Sequence, residues 1–169
     1  MAQRTRIIIV VVILVLVAGI FAAVGLASQS QTAQAPASTP QPGMIHLYLN
    51  DTFVANVVPS DLTSLPAGSF VDKEQGKTQS GYWLRDVIRV YVKEAQLSPQ
   101  SRIVISGLRQ GSQDKNTTIT WAQALDLANN ILFAPSNDGQ SVKLASTMEG
   151  LATRNDWVQG ITEINVKTK

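Results

Sequence analysis

The chain of 169 residues contains no cysteine. That absence excludes disulfides, iron–sulfur clusters, thiolate zinc sites, cysteine nucleophiles and lipid attachment at a lipobox cysteine. Histidine is nearly as scarce. His46 is the single imidazole, so a metal centre built on two or three histidines is excluded too. An excess of basic charge is missing from most of the chain: Arg4 and Arg6 account for the formal +2, and the other 12 basic residues beyond Met44 meet 12 acidic ones. A formally neutral domain lacks the electrostatic footprint of nucleic-acid binding, so no nucleic-acid partner is expected. G-x-S-x-G elbows, P-loops, dinucleotide fingerprints and H-E-x-x-H helices are also absent.

What is present begins with one apolar run. Residues 7–27, IIIVVVILVLVAGIFAAVGLA, carry no charged or polar side chain. At roughly 1.5 Å per residue the run spans about 31 Å, the thickness of a bilayer core, and exceeds the apolar region of a cleavable signal peptide. The sequence therefore predicts a transmembrane anchor helix, with the lipid bilayer as its partner. Arg4 and Arg6 precede the span and no charge follows it until Asp51. By the positive-inside bias, residues 1–6 are expected in the cytosol and the rest outside it, as a single-pass protein of the cell membrane. Gly19 and Gly25 lack the four-residue spacing of a helix-dimer motif.

Residues 28–43, SQSQTAQAPASTPQPG, hold three prolines, no charge and no apolar residue larger than alanine. Such a stretch buries too little surface to offset chain entropy and reads as a disordered linker. Residues 44–169 remain as one extracytoplasmic domain, long enough for a single core.

Within that domain the pattern predicts an α+β fold of about seven strands and two or three helices. MIHLYLN alternates, with Ile45, Leu47 and Leu49 on one face, and Asn50–Asp51 turns it into TFVANVV. SDLTSL is a short helix at most, since Pro66 stops it, and a strand is expected near Ser69–Asp72. A helix is predicted from about Tyr82 to Ala95, where Leu84, Val87, Ile88, Tyr91, Val92 and Ala95 share a face. RIVISG (102–107) and TTIT (117–120) read as strands. Thr120 opens a second helix through a capping box with Gln123. ILFA, SVKLAS and WVQGITEINV read as further strands, with NDG (137–139) as a turn.

Chemistry is thinly signalled, and no catalytic residue and no metal ligand is assigned. His46 beside Tyr48 reads as a solvated or hydrogen-bonded surface residue. Asp72 and Glu74, flanked by Lys73 and Lys77, read as a solvated, salt-bridged strand end. Arg85, Arg89 and Lys93 form a basic helical stripe compensated by Asp86 and Glu94. Trp83, Trp121 and Trp157 read as core anchors.

From Asp61 to Val166 the order of motifs resembles the sulfite-oxidase type of molybdopterin-binding domain. SDLTSLP is similar to the family's leucine-rich segment ending at a proline, and GYWLRDVI to its G-V-x-L-x-D-L-L helix start. ILFAPSNDGQSVKLAS resembles its L-L-A…N-G…L…R-L segment, and NDWVQGITEINV its K-W-V-x-x-I-x-x-I-x-V close. The resemblance implies a molybdopterin-oxidoreductase-like fold. It also exposes departures. Family members present a cysteine to molybdenum in the interval that VDKEQGKTQS fills here. An arginine that contacts the pterin phosphate is matched by Lys143, and a cation before the final Trp-Val by Asp156. A His-Gly-containing insertion between NDG and VKL is missing. Lys143 and Arg154 are the cations that the resemblance leaves near a cofactor pocket.

The expectation is a membrane-anchored domain that has lost molybdenum, with no cofactor expected, and that acts as a ligand-binding or protein-interaction module; whether it is an enzyme is left open, with an oxidoreductase the class if it is one. The alternatives are a molybdopterin-dependent oxidoreductase without a cysteine ligand, or an accessory subunit with a partner protein in a membrane complex.

Overall fold

In the computed structural model the described residues are 44–109, 113–136 and 141–168. The anchor (7–27), the linker (28–43) and the NDG turn (137–139) lie outside them. No helix among the described residues is long and apolar enough to cross a membrane.

The chain first makes a hairpin of β1 (Ile45–Leu49) and β2 (Thr52–Val57). Its turn, Asn50–Asp51, has positive φ at both positions, 50° and 64°. That is the geometry whose twist matches antiparallel strands, and it suits Asn and Asp because their short side chains tolerate left-handed backbone. A one-turn helix α1 (Pro59–Leu62) leads to β3 (Ala67–Val71) and β4 (Thr78–Trp83), which passes without a break into helix α2 (Leu84–Tyr91). Strands β5 (Arg102–Arg109) and β6 (Gln113–Thr120) follow, then the short helix α3 (Trp121–Leu125), and β7 (Leu132–Pro135), β8 (Val142–Ala145) and β9 (Gln159–Lys167).

Two sheets result. One has the order β2-β1-β9-β5-β6, antiparallel except where β1 and β9 run parallel; the other, β3-β4-β7-β8, is antiparallel throughout. They are joined where Leu144 pairs with Val158, the Leu144 N–H donating to the Val158 carbonyl at 2.8 Å. The principal core holds Leu47, Ile103, Ile105, Ile119, Ile164 and Val166 of the first sheet, Leu84, Val87 and Ile88 of α2, and Phe133 and Leu144 of the second sheet. Leu132, Ala134 and Ala145 face the other way into a smaller cluster with Phe70 and Trp157. The second sheet is therefore covered on both faces at β7, which is why ILFA is a continuous apolar run rather than an alternating one.

The mixed α and β composition agrees with the α+β expectation, with nine strands among the described residues where about seven were expected. The predicted helix 82–95 needs correction at both ends. Tyr82 and Trp83 belong to β4, where they pair with Phe133 and Leu132. At the other end Val92 is extended (φ −122°, ψ 124°), and Glu94–Gln96 forms a separate 3-10 turn. Lys93 consequently falls beyond the helix, and the basic stripe is Arg85 and Arg89 alone. Arg89 binds Asp86 at 3.2 Å and Glu94 at 2.8 Å, the compensation expected. The Thr120–Gln123 capping box is present in both directions: the Gln123 amide donates to Thr120 Oγ1 at 3.2 Å, and the Thr120 amide to Gln123 Oε1 at 2.8 Å.

Candidate functional site

Trp157 stands at the centre of the smaller cluster, 1 % exposed. Its indole N–H donates to both the Ser146 and Leu151 carbonyls at 3.0 Å, which ties the segment after β8 back onto the start of β9. Phe70 meets the ring edge-on at 6.2 Å. Two cations lie against the same indole: the Lys143 ammonium 5.5 Å from the ring centroid and the Arg154 guanidinium 5.7 Å from it. The resemblance singled out these two cations, and the fold brings them to one side chain.

Arg154 is already committed. Its Nη2 and Nε donate to Asp72 Oδ2 at 2.7 and 3.3 Å, and its backbone N–H donates to Glu74 Oε2 at 3.1 Å. Asp72 is held from three further directions. Gln79 Nε2 donates to Oδ2 at 3.0 Å, the Gln75 amide to Oδ1 at 2.7 Å, and the Asp72 amide donates to the Lys77 carbonyl at 3.0 Å. Burial opposes its charge, but the hydrogen bonds from Arg154, the Gln75 amide and Gln79 outweigh that penalty and bring the carboxyl down to about 2. The sequence reading of a solvated strand end is corrected for Asp72, which is only 2 % exposed. Its partner lies 82 residues away, where local pattern gives no sign of it.

Lys143 is different. It is 6 % exposed, at the centre of β8, and burial followed by repulsion from Arg154 depresses its amine below the usual lysine range, against the attraction of Asp72. Among the described residues no oxygen accepts a hydrogen bond from it.

Asp156 lies in the neighbouring turn, where Thr153 Oγ1 donates to Oδ2 at 2.6 Å. Lys115 of β6 reaches the same turn and donates to the Asn155 carbonyl at 3.2 Å and to that of Asp156. His46 is far from this chemistry in the chain and half-buried, packed edge-on against Tyr48 (6.5 Å) and Phe53 (6.2 Å). Trp121 is buried beneath Arg89, and Trp83 is partly buried with Gly68 under its ring. Sequence reasoning missed Gln79 and took Trp157 for a core anchor alone. The signal available was the pair of cations, Lys143 and Arg154, that precede Trp157 in the chain.

Among the described residues no group of three or more His, Asp or Glu is placed to hold a metal ion. The chain has no thiolate to offer a metal, and the Arg154 guanidinium is paired with Asp72. No protein-family model matches the chain, and no curated protein matches it as a relative.

Proposed function

We propose that this chain is a single-pass membrane protein displaying an extracytoplasmic binding domain. In this reading the domain keeps the outline of the sulfite-oxidase-type molybdopterin fold and serves as a ligand-binding or protein-interaction module without molybdenum. The observation that carries the reading is the fate of Arg154. A cation retained for a cofactor phosphate would be open to it, whereas this guanidinium is paired with a carboxylate of its own chain at 2.7 Å. The proposed membrane placement rests on the charge-free run 7–27 with Arg4 and Arg6 on one side.

Purification of the full chain in mild detergent, followed by elemental analysis and mass spectrometry of the extract, tests the first part. The expected result is neither molybdenum nor pterin in stoichiometric amount, and finding both would overturn the reading. Because the chain lacks native cysteine, Ser38→Cys and Gln3→Cys report topology cleanly. A membrane-impermeant maleimide applied to whole cells is expected to label the first and spare the second; the reverse pattern would refute the orientation.

A further inference from the structure

We propose that Lys143 is a reactive amine that condenses with small aldehydes to form an imine. The proposal needs neither the membrane anchor nor the molybdopterin-like outline. It stands on four features of the described residues. Lys143 is 6 % exposed, in the middle of a strand whose neighbours Leu144 and Ala145 are fully buried. Its ammonium lies 5.5 Å from the Trp157 ring centroid and, among the described residues, meets no hydrogen-bond acceptor. A second cation, Arg154, rests on the same indole. Finally, the residue is not sealed off completely, since 6 % of its surface stays accessible.

A desolvated lysine beside another cation is the setting in which an amine sheds its proton and becomes nucleophilic near neutral pH. The charged groups facing Lys143 are Arg154, which disfavours its protonated form, and Asp72, which favours it. Trp157 also favours the protonated form through its π face. Asp72, however, directs its oxygens to Arg154, Gln79 and the Gln75 amide, which leaves burial and Arg154 as the larger influences.

The step balances without any redox partner. The ammonium loses a proton to solvent, the Nζ lone pair adds to the carbonyl carbon, the carbonyl oxygen takes up a proton, and loss of water leaves a C=N bond. A neutral carbonyl compound suits this corner better than an oxyanion, because Asp72 already offsets the Arg154 guanidinium, and Asp72 and the Glu74 carboxylate held at the Arg154 backbone N–H would repel an incoming anion. An amine on a residue only 6 % exposed is reached by small molecules alone, which restricts the class to small aldehydes.

The test is reductive trapping on the full chain in detergent micelles with acetaldehyde and cyanoborohydride, followed across pH 6 to 9 by peptide mass spectrometry. The exposed Lys73, Lys77 and Lys93 serve as internal references. The expected result is N-ethylation of Lys143 ahead of all three at pH 7, with a labelling midpoint shifted to lower pH. In Arg154→Gln, which removes the neighbouring cation and frees Asp72 to attract the amine, the midpoint is expected to move back up. Labelling of Lys143 slower than the references, or with their midpoint, would overturn the proposal. If Arg154→Gln fails to fold by circular dichroism, the wild-type pH profile decides alone.

Discussion

Replacing Trp157 by Phe tests whether the indole holds the segment between β8 and β9 in place. The substitution keeps an aromatic ring but deletes the N–H that serves the Ser146 and Leu151 carbonyls, both at 3.0 Å. Ser146 and Leu151 are 0 % and 2 % exposed, so water does not replace the donor without an opening of the loop. Leaving two buried acceptors unserved costs about 1 kcal/mol each at the low end suited to carbonyls, which keep a second lone pair. The smaller ring leaves a void worth about 1–2 kcal/mol, and weaker contact with Lys143 and Arg154 adds about 0.5–1 kcal/mol. The expected loss is about 4 kcal/mol, a large share of the roughly 5–15 kcal/mol that holds a domain together. Guanidinium titration of the full chain in micelles, followed by far-ultraviolet circular dichroism, measures it as a lower midpoint at unchanged slope. A loss below about 1 kcal/mol would refute the reasoning, since it would mean that the carbonyls find other donors and that the ring is not the support of this segment.

At Gly81 an added Cβ would sit 2.4 Å from the Phe133 carbonyl oxygen and 2.7 Å from Ala134 Cα, so Gly81→Ala forces β4 off β7 and is expected to cost about 3 kcal/mol in the same titration. Gly150→Ala, at φ +79° with nothing within 4 Å, meets only backbone strain and is expected to cost about 1 kcal/mol. The Asp72 carboxyl titrates at about 2 when folded against 3.8 as a free side chain, so its stabilisation is complete above about pH 4 and is lost as pH falls toward 2. Thermal melts across that window are expected to show a flatter acid limb for Asp72→Asn than for the wild type. Tyr91 behaves in the opposite sense: burial first, with its hydrogen bond to Asp61, lifts its phenol from 10.0 to about 12. Its stabilisation is therefore complete below pH 10 and lost as pH rises to 12, and Tyr91→Phe is expected to flatten the alkaline limb.

The legible parts of this fold were those whose cause is local. The Thr120–Gln123 capping box and the Asn50–Asp51 turn each depend on neighbours a few residues apart, and each forms as the pattern predicts. Strand β4 was hidden because the helical face that begins at Leu84 follows it directly, with no glycine, proline or polar residue between Tyr82 and Leu84 to mark the boundary. What makes Tyr82 and Trp83 extended is their pairing with Phe133 and Leu132, some 50 residues further on. The end of α2 was hidden for a related reason. No glycine or proline marks it; the backbone simply turns extended at Val92, whose branched side chain favours that conformation. In the site, the two cations were visible in the sequence as candidates, but their roles were not. Whether an arginine is open or neutralised depends on a carboxylate brought in by tertiary structure, here across 82 residues.

That long-range pairing also decides which kind of molecule the Trp157 corner tolerates. Counting charge alone, Lys143 and Arg154 on one indole would read as an anion trap. The carboxylate of Asp72 changes the sum: it stays ionised from about pH 2 upward, so at any pH where the domain works an anion approaching Arg154 also approaches a fixed negative charge. Burial sharpens this, because like charges a few ångströms apart repel several times more strongly near a protein interior than in water. Displacing Asp72 would not help the anion either, since Gln79 and the Gln75 amide keep the carboxylate in place even if the guanidinium turns away. Among the described residues the amine of Lys143 has no such keeper. Burial and the neighbouring Arg154 discourage its protonation, and a neutral electrophile that needs the unprotonated amine meets no repulsion from Asp72 on the way to it.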